Sequence, residues 1–319
     1  MSASTQGAAA ADSGLAQAAP RRPGAIKTAI LTQPQALIGL AIIGAFVIIA
    51  LVAPLFLSGD PKAKVGPIFE PPSTAHPLGL DGGGADMIRL LIAGTRVSLL
   101  VGFCAALVSA IIGGTIGVLS GFFGGKTDIA LMRMTDYFLV IPDIPLMIVA
   151  AALFGRSLTN IIIIIGIIYW TTTARLIRAQ VKSVRERVYV KRSRALGAGN
   201  SRLIFKHILP QVAPLLIANT VLLVAYAIFA ETFITFLGLG DPSVISWGRL
   251  IENAFQDDAI LNNAWWAIVP PGLCVTLIVL GATIFGQSLE DGLNPRLRVG
   301  HLSVRRFKVR PLRGKLDTE

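Results

Sequence analysis

The chain has 319 residues, of which 53% are hydrophobic and only 15% charged, yet it carries a formal net charge of +11. A soluble domain of this length carries about 25% charged residues, so a single soluble globular domain is excluded. Disorder and nucleic-acid binding are excluded too, because they need low hydrophobicity or basic residues spread over a polar face. What remains is a chain inserted in a membrane, with its Lys and Arg gathered on one side.

Residues 1–33 are rich in Ala, Ser, Gly and Gln and lack the apolar core and cleavage site of a signal peptide, so a disordered tail is expected. A membrane-crossing helix needs about 20 mostly apolar residues for about 30 Å of hydrocarbon. Stretches of that kind place spans at about 36–57, 97–121, 137–155, 157–173, 208–230 and 267–289. The third contains one charge, Asp143, between Pro142 and Pro145, and it is counted because the topology otherwise fails to alternate. Trp265 and Trp266, ahead of the sixth, suit a membrane interface.

In the second span Ser109, Gly113, Gly117 and Gly121 recur every fourth residue and so line one stripe of a helix. Small residues at that spacing let two helix backbones approach closely, which makes tight packing the favoured role and a substrate path along the stripe the minority one. The following residues 120–127 nearly match a phosphate-binding loop. Ser120 replaces its first glycine, however, and a transmembrane helix precedes it where such a loop needs a strand. Cys104 and Cys274 lie in apolar runs without metal-ligand spacing and are read as packing residues. His76, His207 and His301 are too far apart for a helical metal pair. Asp143 has two readings: a proton or cation site on a translocation path, which intramembrane carboxylates suggest by default, or a carboxylate snorkelling to the cytoplasmic surface. Since no other charge lies inside a span to relay to, the second is favoured.

Assigning alternate segments to alternate sides separates the basic residues. The segments 1–35, 126–133, 175–206 and 296–315 hold three, two, ten and eight of them, which puts 23 of 29 on one side. The other side holds Lys62, Lys64, Arg89, Arg96, Arg156 and Arg249. The positive-inside bias predicts that both termini are cytoplasmic. On the outward side, 58–95 and 231–266 form the expected surface for an external partner. Glu231, Asp241, Glu252, Asp257 and Asp258 are read there as an acidic, solvated loop face.

The most basic segment, 175–206, is too long for a simple turn. Residues 188–196 suit a short helix, Gly197 and Gly199 can stop it, and Asn200 or Ser201 can cap a second helix entering the fifth span. Such a helix-turn-helix fits a docking element for a cytoplasmic partner or, equally well on physical grounds, an interfacial helix on anionic lipid.

This loop resembles the coupling loop of ABC-importer permeases, whose signature E-A-A-x-x-x-G is followed by H-x-x-P; Gly197, His207 and Pro210 match. Further matches point to the dipeptide, oligopeptide and nickel permeases and to their C-type subunit. They are His76-Pro-Leu-Gly79 with Asp81, Gly94-Thr-Arg-Val-Ser98, Gly121-Phe-Phe-Gly-Gly125 with Asp128, Met132, Arg133 and Asp136, Phe236-Leu-Gly-Leu-Gly240, Ser246-Trp-Gly248, Trp265-Trp266 and Asn294-Pro-Arg296. The resemblance covers about 34–298. It implies an all-α polytopic membrane protein of six transmembrane helices with the type I ABC-importer permease fold, between the tails 1–33 and 299–319. The implied coupling residues are Glu186, Tyr189, Lys191, Arg192, Ser193, Ala195, Leu196, Gly197, Ser201, His207 and Pro210.

Two departures stand out. Lys191, Arg192 and Ser193 replace E-A-A, making an acidic-plus-small surface basic, and Gln287, Glu290 and Asn294 depart from the usual closing stretch. The implied function is the permease subunit of an ATP-driven importer of di- or oligopeptides, or of nickel or haem. It would be non-catalytic and hold no cofactor or metal itself. Its implied partners are a homologous permease, two cytoplasmic ATPase subunits that bind ATP and Mg, an extracytoplasmic substrate-binding protein and the lipid bilayer, with no nucleic acid. An ion-coupled secondary transporter is the rival of another class. It is disfavoured because no internal repeat is evident and Asp143 is the only intramembrane charge.

Overall fold

The computed structural model describes residues 33–56 and 59–293. Most of the expected N-terminal tail, the basic tail 299–319 and the Asn294-Pro-Arg296 motif lie outside the described residues. The described residues form helices, with no strand among them. In order these are α1 Pro34–Phe56, α2 Met87–Phe123, α3 Gly125–Val140, α4 Asp143–Phe154, α5 Leu158–Arg185, α6 Val188–Ala195, α7 Asn200–Leu239, α8 Trp247–Gln256 and α9 Val269–Leu293. Five of them are long and apolar enough to cross a membrane, and the bent pair α3–α4 makes up to six.

Local chemistry sets the helix ends. α1 opens on Pro34, whose fixed φ and missing N–H suit a first turn. α2 opens at Asp86, whose carboxylate accepts hydrogen bonds from the Ile88 and Arg89 amides at 2.9 and 3.2 Å. It ends where Gly124 turns to φ +67°. Its 37 residues rise about 55 Å, well beyond the hydrocarbon thickness of about 30 Å, so the span expected at 97–121 leaves out the first ten residues of the helix. Near the start of α7, residues 203–208 widen into a π-helical turn. Pro210 explains the widening, because its ring crowds the carbonyl of residue 206 and it has no N–H to return.

The continuous third span expected at 137–155 is corrected to a broken one. α3 and α4 meet at 86°, with Ile141 in extended backbone at ψ 126°. Pro142 is the cause: it bars the helical conformation to the residue before it and cannot donate back into the preceding turn. The fourth span, expected to end at 173, runs on as α5 to Arg185. The first third of 175–206 is therefore helix, and the connection between α5 and α7 is 186–199.

α2 and α5 form the axis of the bundle. On their shared face a Cβ at Gly113 would press on the Trp170 carbonyl. At Gly117 it would lie 2.7 Å from the Ala174 carbonyl, and at Gly121 2.9 Å from that of Arg178. The three carbonyls are themselves spaced by four, so the two backbones run in direct contact along the stripe. Ser109, one turn earlier, is fully buried.

Three buried clusters follow this axis. One joins Leu90, Leu91, Leu99, Trp247 and Ile278 where α8 packs. A middle one joins Val101, Met147, Ile161, Ile165, Ala227 and Ile234. The third joins Val118, Phe122, Val181, Val184, Val190, Leu203 and Val212 at the end bearing α6.

Candidate functional site

At that last end the chain leaves α5, forms the short helix α6 and re-enters the bundle as α7. Only one side of α6 is buried: Val190 is sealed against Val181, Val184, Leu203 and Ile208. The other faces project Val188, Tyr189, Leu196 and, from the first turns of α7, Phe205. Leu196 is 88% exposed, and with Val188, Tyr189 and Phe205 it leaves several apolar side chains uncovered at this end.

The turn after α6 is a Schellman motif. The Ala198 amide donates to the Ser193 carbonyl at 3.1 Å and the Gly197 amide to the Arg194 carbonyl at 3.0 Å. Gly197 takes φ +85°, the left-handed conformation this C-cap requires. The expected cap at Asn200 or Ser201 is corrected: α7 begins on Asn200, Gly199 precedes it, and no side chain caps it.

The sequence-predicted residues meet in this element. Ser193 Oγ and His207 Nε2 are 3.2 Å apart, tying α6 to α7, and the Tyr189 ring lies 6.2 Å from the His207 ring. Glu186 bridges Lys191 at 2.8 Å and Arg185 at 3.3 Å, and Lys191 holds its carboxyl below the usual range. Arg194 stacks over Phe122 at 5.5 Å. Arg192 and Ala195 are exposed on α6, and Ser201 is exposed at the start of α7. Pro210 lies within α7. A polar cleft of about 400 Å³ opens between Phe122, Arg185, Glu186, Lys191, Arg194 and Asn200.

Asp143 lies elsewhere. It is the first residue of α4, exposed, at the helix break. It borders a cavity of about 210 Å³ with Met147, Tyr169, Tyr226, Phe229 and Phe233.

Sequence reasoning missed the ionic framework behind α6. Asp128 of α3 receives Arg178 at 2.5 and 2.8 Å, Lys182 at 2.6 Å and the Ser120 hydroxyl. Asp136 pairs with Arg175 at 2.6 Å. Arg175, Arg178, Lys182 and Arg185 recur every three or four residues, so the signal for one helical face was present. Two residues expected on a solvated acidic face are instead buried. Glu231 sits inside α7, hydrogen-bonded by Ser98 and Thr235, and Glu252 pairs with Arg249 at 2.6 Å. Each lies on a helix face packed against the bundle, which a loop assignment could not show.

Residues 113–299 match the family described as the binding-protein-dependent transport system inner membrane component. The chain belongs to this family. The match takes in the glycine stripe, the α3–α4 break and all of α6. A putative peptide transport system permease protein of Brucella suis is 37% identical over 82% of this chain and 88% of its own length. The dipeptide transport system permease protein of Alkalihalophilus pseudofirmus and the oligopeptide transport system permease protein of Bacillus subtilis are each 35% identical over 82% of this chain and 86% of theirs. As an inner-membrane component of such a system, the chain is a multi-pass membrane protein whose family works with a substrate-binding protein and ATPase subunits.

Proposed function

We propose that this chain is one of two homologous permease subunits of an ATP-driven importer that carries di- or oligopeptides into the cytoplasm, and that both its termini are cytoplasmic. The observation that carries the reading is the construction of α6. Its exposed side offers Val188, joined by Leu196 just past its end and Phe205 from the start of α7, among basic side chains, while its buried Val190 shares one core with α5 and α7. An ATPase subunit seated on the exposed side would push on both helices through that core. The ATPases bind ATP and Mg; this chain supplies no catalytic group. Closure of the ATPases would then bias the permease pair between inward- and outward-facing states, as a ligand biases any two-state equilibrium.

The distribution of Lys and Arg supports the orientation, because the positive-inside bias keeps the α6 end in the cytoplasm. The opposite end, formed by 59–86 and 257–268, would meet the loaded binding protein. Peptides are the favoured solutes because the similar proteins carry peptide, dipeptide and oligopeptide in their names.

The test is reconstitution in proteoliposomes with the partner permease, the ATPases and the binding protein. Accumulation of a radiolabelled dipeptide is expected only with ATP and all components. ATP-independent uptake by this chain alone would overturn the importer reading. Uptake of nickel or haem in place of the dipeptide would overturn the solute and leave the transport class standing.

A further inference from the structure

The cavity beside Asp143 lies at the level where α3 gives way to α4. The 12 residues of α4 span about 18 Å at about 1.5 Å per residue, so Asp143 starts that far from the Phe154 end. Tyr169 lies about 16 Å along α5 from its Leu158 end by the same rise, close to the middle of a hydrocarbon layer of about 30 Å. A carboxylate at such depth is costly unless it has work there.

Asp143 accepts a hydrogen bond from the Ile144 amide of its own helix at 2.9 Å. Among the described residues no Lys, Arg or His pairs with it. Tyr169 and Tyr226, their ring centroids 6.3 Å apart, line the same space of about 210 Å³, together with Phe229 and Phe233. One carboxylate among aromatic side chains does not suit a metal ion, which needs several N, O or S ligands. It does suit an organic ammonium, attracted both by the charge and by the faces of the rings.

We propose that this cavity is a contact point on the solute path, where Asp143 is the counter-ion and Tyr169 and Tyr226 form the walls for the primary ammonium group of the passing solute. This rests on the importer reading and narrows its solutes to those with a free amine. The site is open at Asp143, which is exposed, so it would hold the ammonium briefly, as a transport path requires.

The test is photolabelling of the assembled complex in nanodiscs, without binding protein. The probe is a diazirine-bearing dipeptide in its free-amine and N-acetyl forms, with labelled residues mapped by mass spectrometry. The free-amine form is expected to label the cavity walls. Asp143→Asn should lower that labelling by about tenfold, to the level of the N-acetyl form, and Asp143→Glu should retain most of it. Equal labelling by both forms, or free-amine labelling unchanged in Asp143→Asn, overturns the proposal. So does failure of Asp143→Asn to assemble with the partner permease while Asp143→Glu assembles, because the carboxylate would then be an interface ion pair. Failure of the importer reading itself appears separately, as no ATP-dependent uptake by the wild-type complex.

Discussion

Glu231 sits where α2, α7 and α8 converge and belongs to a short relay of hydrogen bonds. The Trp247 amide donates to Ser98 Oγ at 3.2 Å, and the Ser98 hydroxyl donates on to Glu231 Oε2 at 3.3 Å. Thr235 donates to Glu231 Oε1 at 3.1 Å. Removing the acceptor strands two buried hydroxyls and leaves a hole. Glu231→Ala is therefore expected to cost about 1–3 kcal/mol and to lower the melting temperature of the detergent-solubilised protein. Glu231→Gln keeps a carbonyl acceptor for Ser98 and should lose less; a larger loss for Gln than for Ala would refute the relay. Asp241 acts over a longer distance in sequence, accepting the Leu158 amide at 3.1 Å and so capping α5, whose own N-cap Ser157 makes no such bond. Its hydrogen bonds, chiefly from Ser243, hold its pKa below the usual value. A depressed folded pKa means that the contribution is full above the unfolded value of 3.8 and fades as pH falls through the folded one. The stability gap between wild type and Asp241→Asn should thus be present at pH 7 and narrow as the pH falls below 3.8. A gap of constant size would show that the carboxylate's charge plays no part.

Among the helices, the α2–α5 contact makes the sharpest demand on sequence. At Gly113 a methyl group would meet the Trp170 carbonyl and the Thr173 side chain, whereas at Gly44 in α1 nothing lies within 4 Å. Gly113→Ala should therefore destabilise by about 1–3 kcal/mol. Gly44→Ala should be neutral or stabilising by up to about 1 kcal/mol. Thermal melting of the two variants side by side checks this, and equal melting temperatures would show that the axis yields. The glycine stripe was legible because close approach of backbones imposes a local period of four. The length of α5 was not: a charge-free criterion stops it before Arg175. Of the charges beyond, Arg175 pairs with Asp136 and Arg178 and Lys182 share Asp128, both carboxylates coming from α3, a pairing that sequence separation hides. The break at Pro142 was half legible, since two prolines around an aspartate mark a weak helix. A hydropathy average over 137–155 nevertheless registers only apolar content and not the 86° turn. The α6 helix and its Gly197 stop were legible in full, because both depend on residues within one short segment.

For the molecule as a whole, the proposed function requires that a push at one end reach the other. α6 touches the bundle through the Ser193–His207 and Arg194–Phe122 contacts and through Val190, which shares a core with Val181 of α5 and Leu203 of α7. Those two helices also line the Asp143 cavity through Tyr169 and Tyr226. A rigid α6 can therefore move the adjoining ends of both helices together; a loose one would absorb the motion. Its rigidity depends on the Schellman turn, in which Gly197 holds φ +85° with open space where a side chain would go. Substitution there meets only the backbone preference, so residue type should decide the outcome. Asn tolerates the left-handed conformation and should preserve coupling, whereas Val is strained in it by about 1–2 kcal/mol and should unwind the end of α6. In the reconstituted complex, Gly197→Val is expected to insert and assemble normally and to leave ATP hydrolysis running, with the number of solutes moved per ATP reduced several-fold. Gly197→Asn should stay near wild type. If Val transports as well as Asn, α6 does not need its turn to carry force, and the path from the ATPases must run through other contacts.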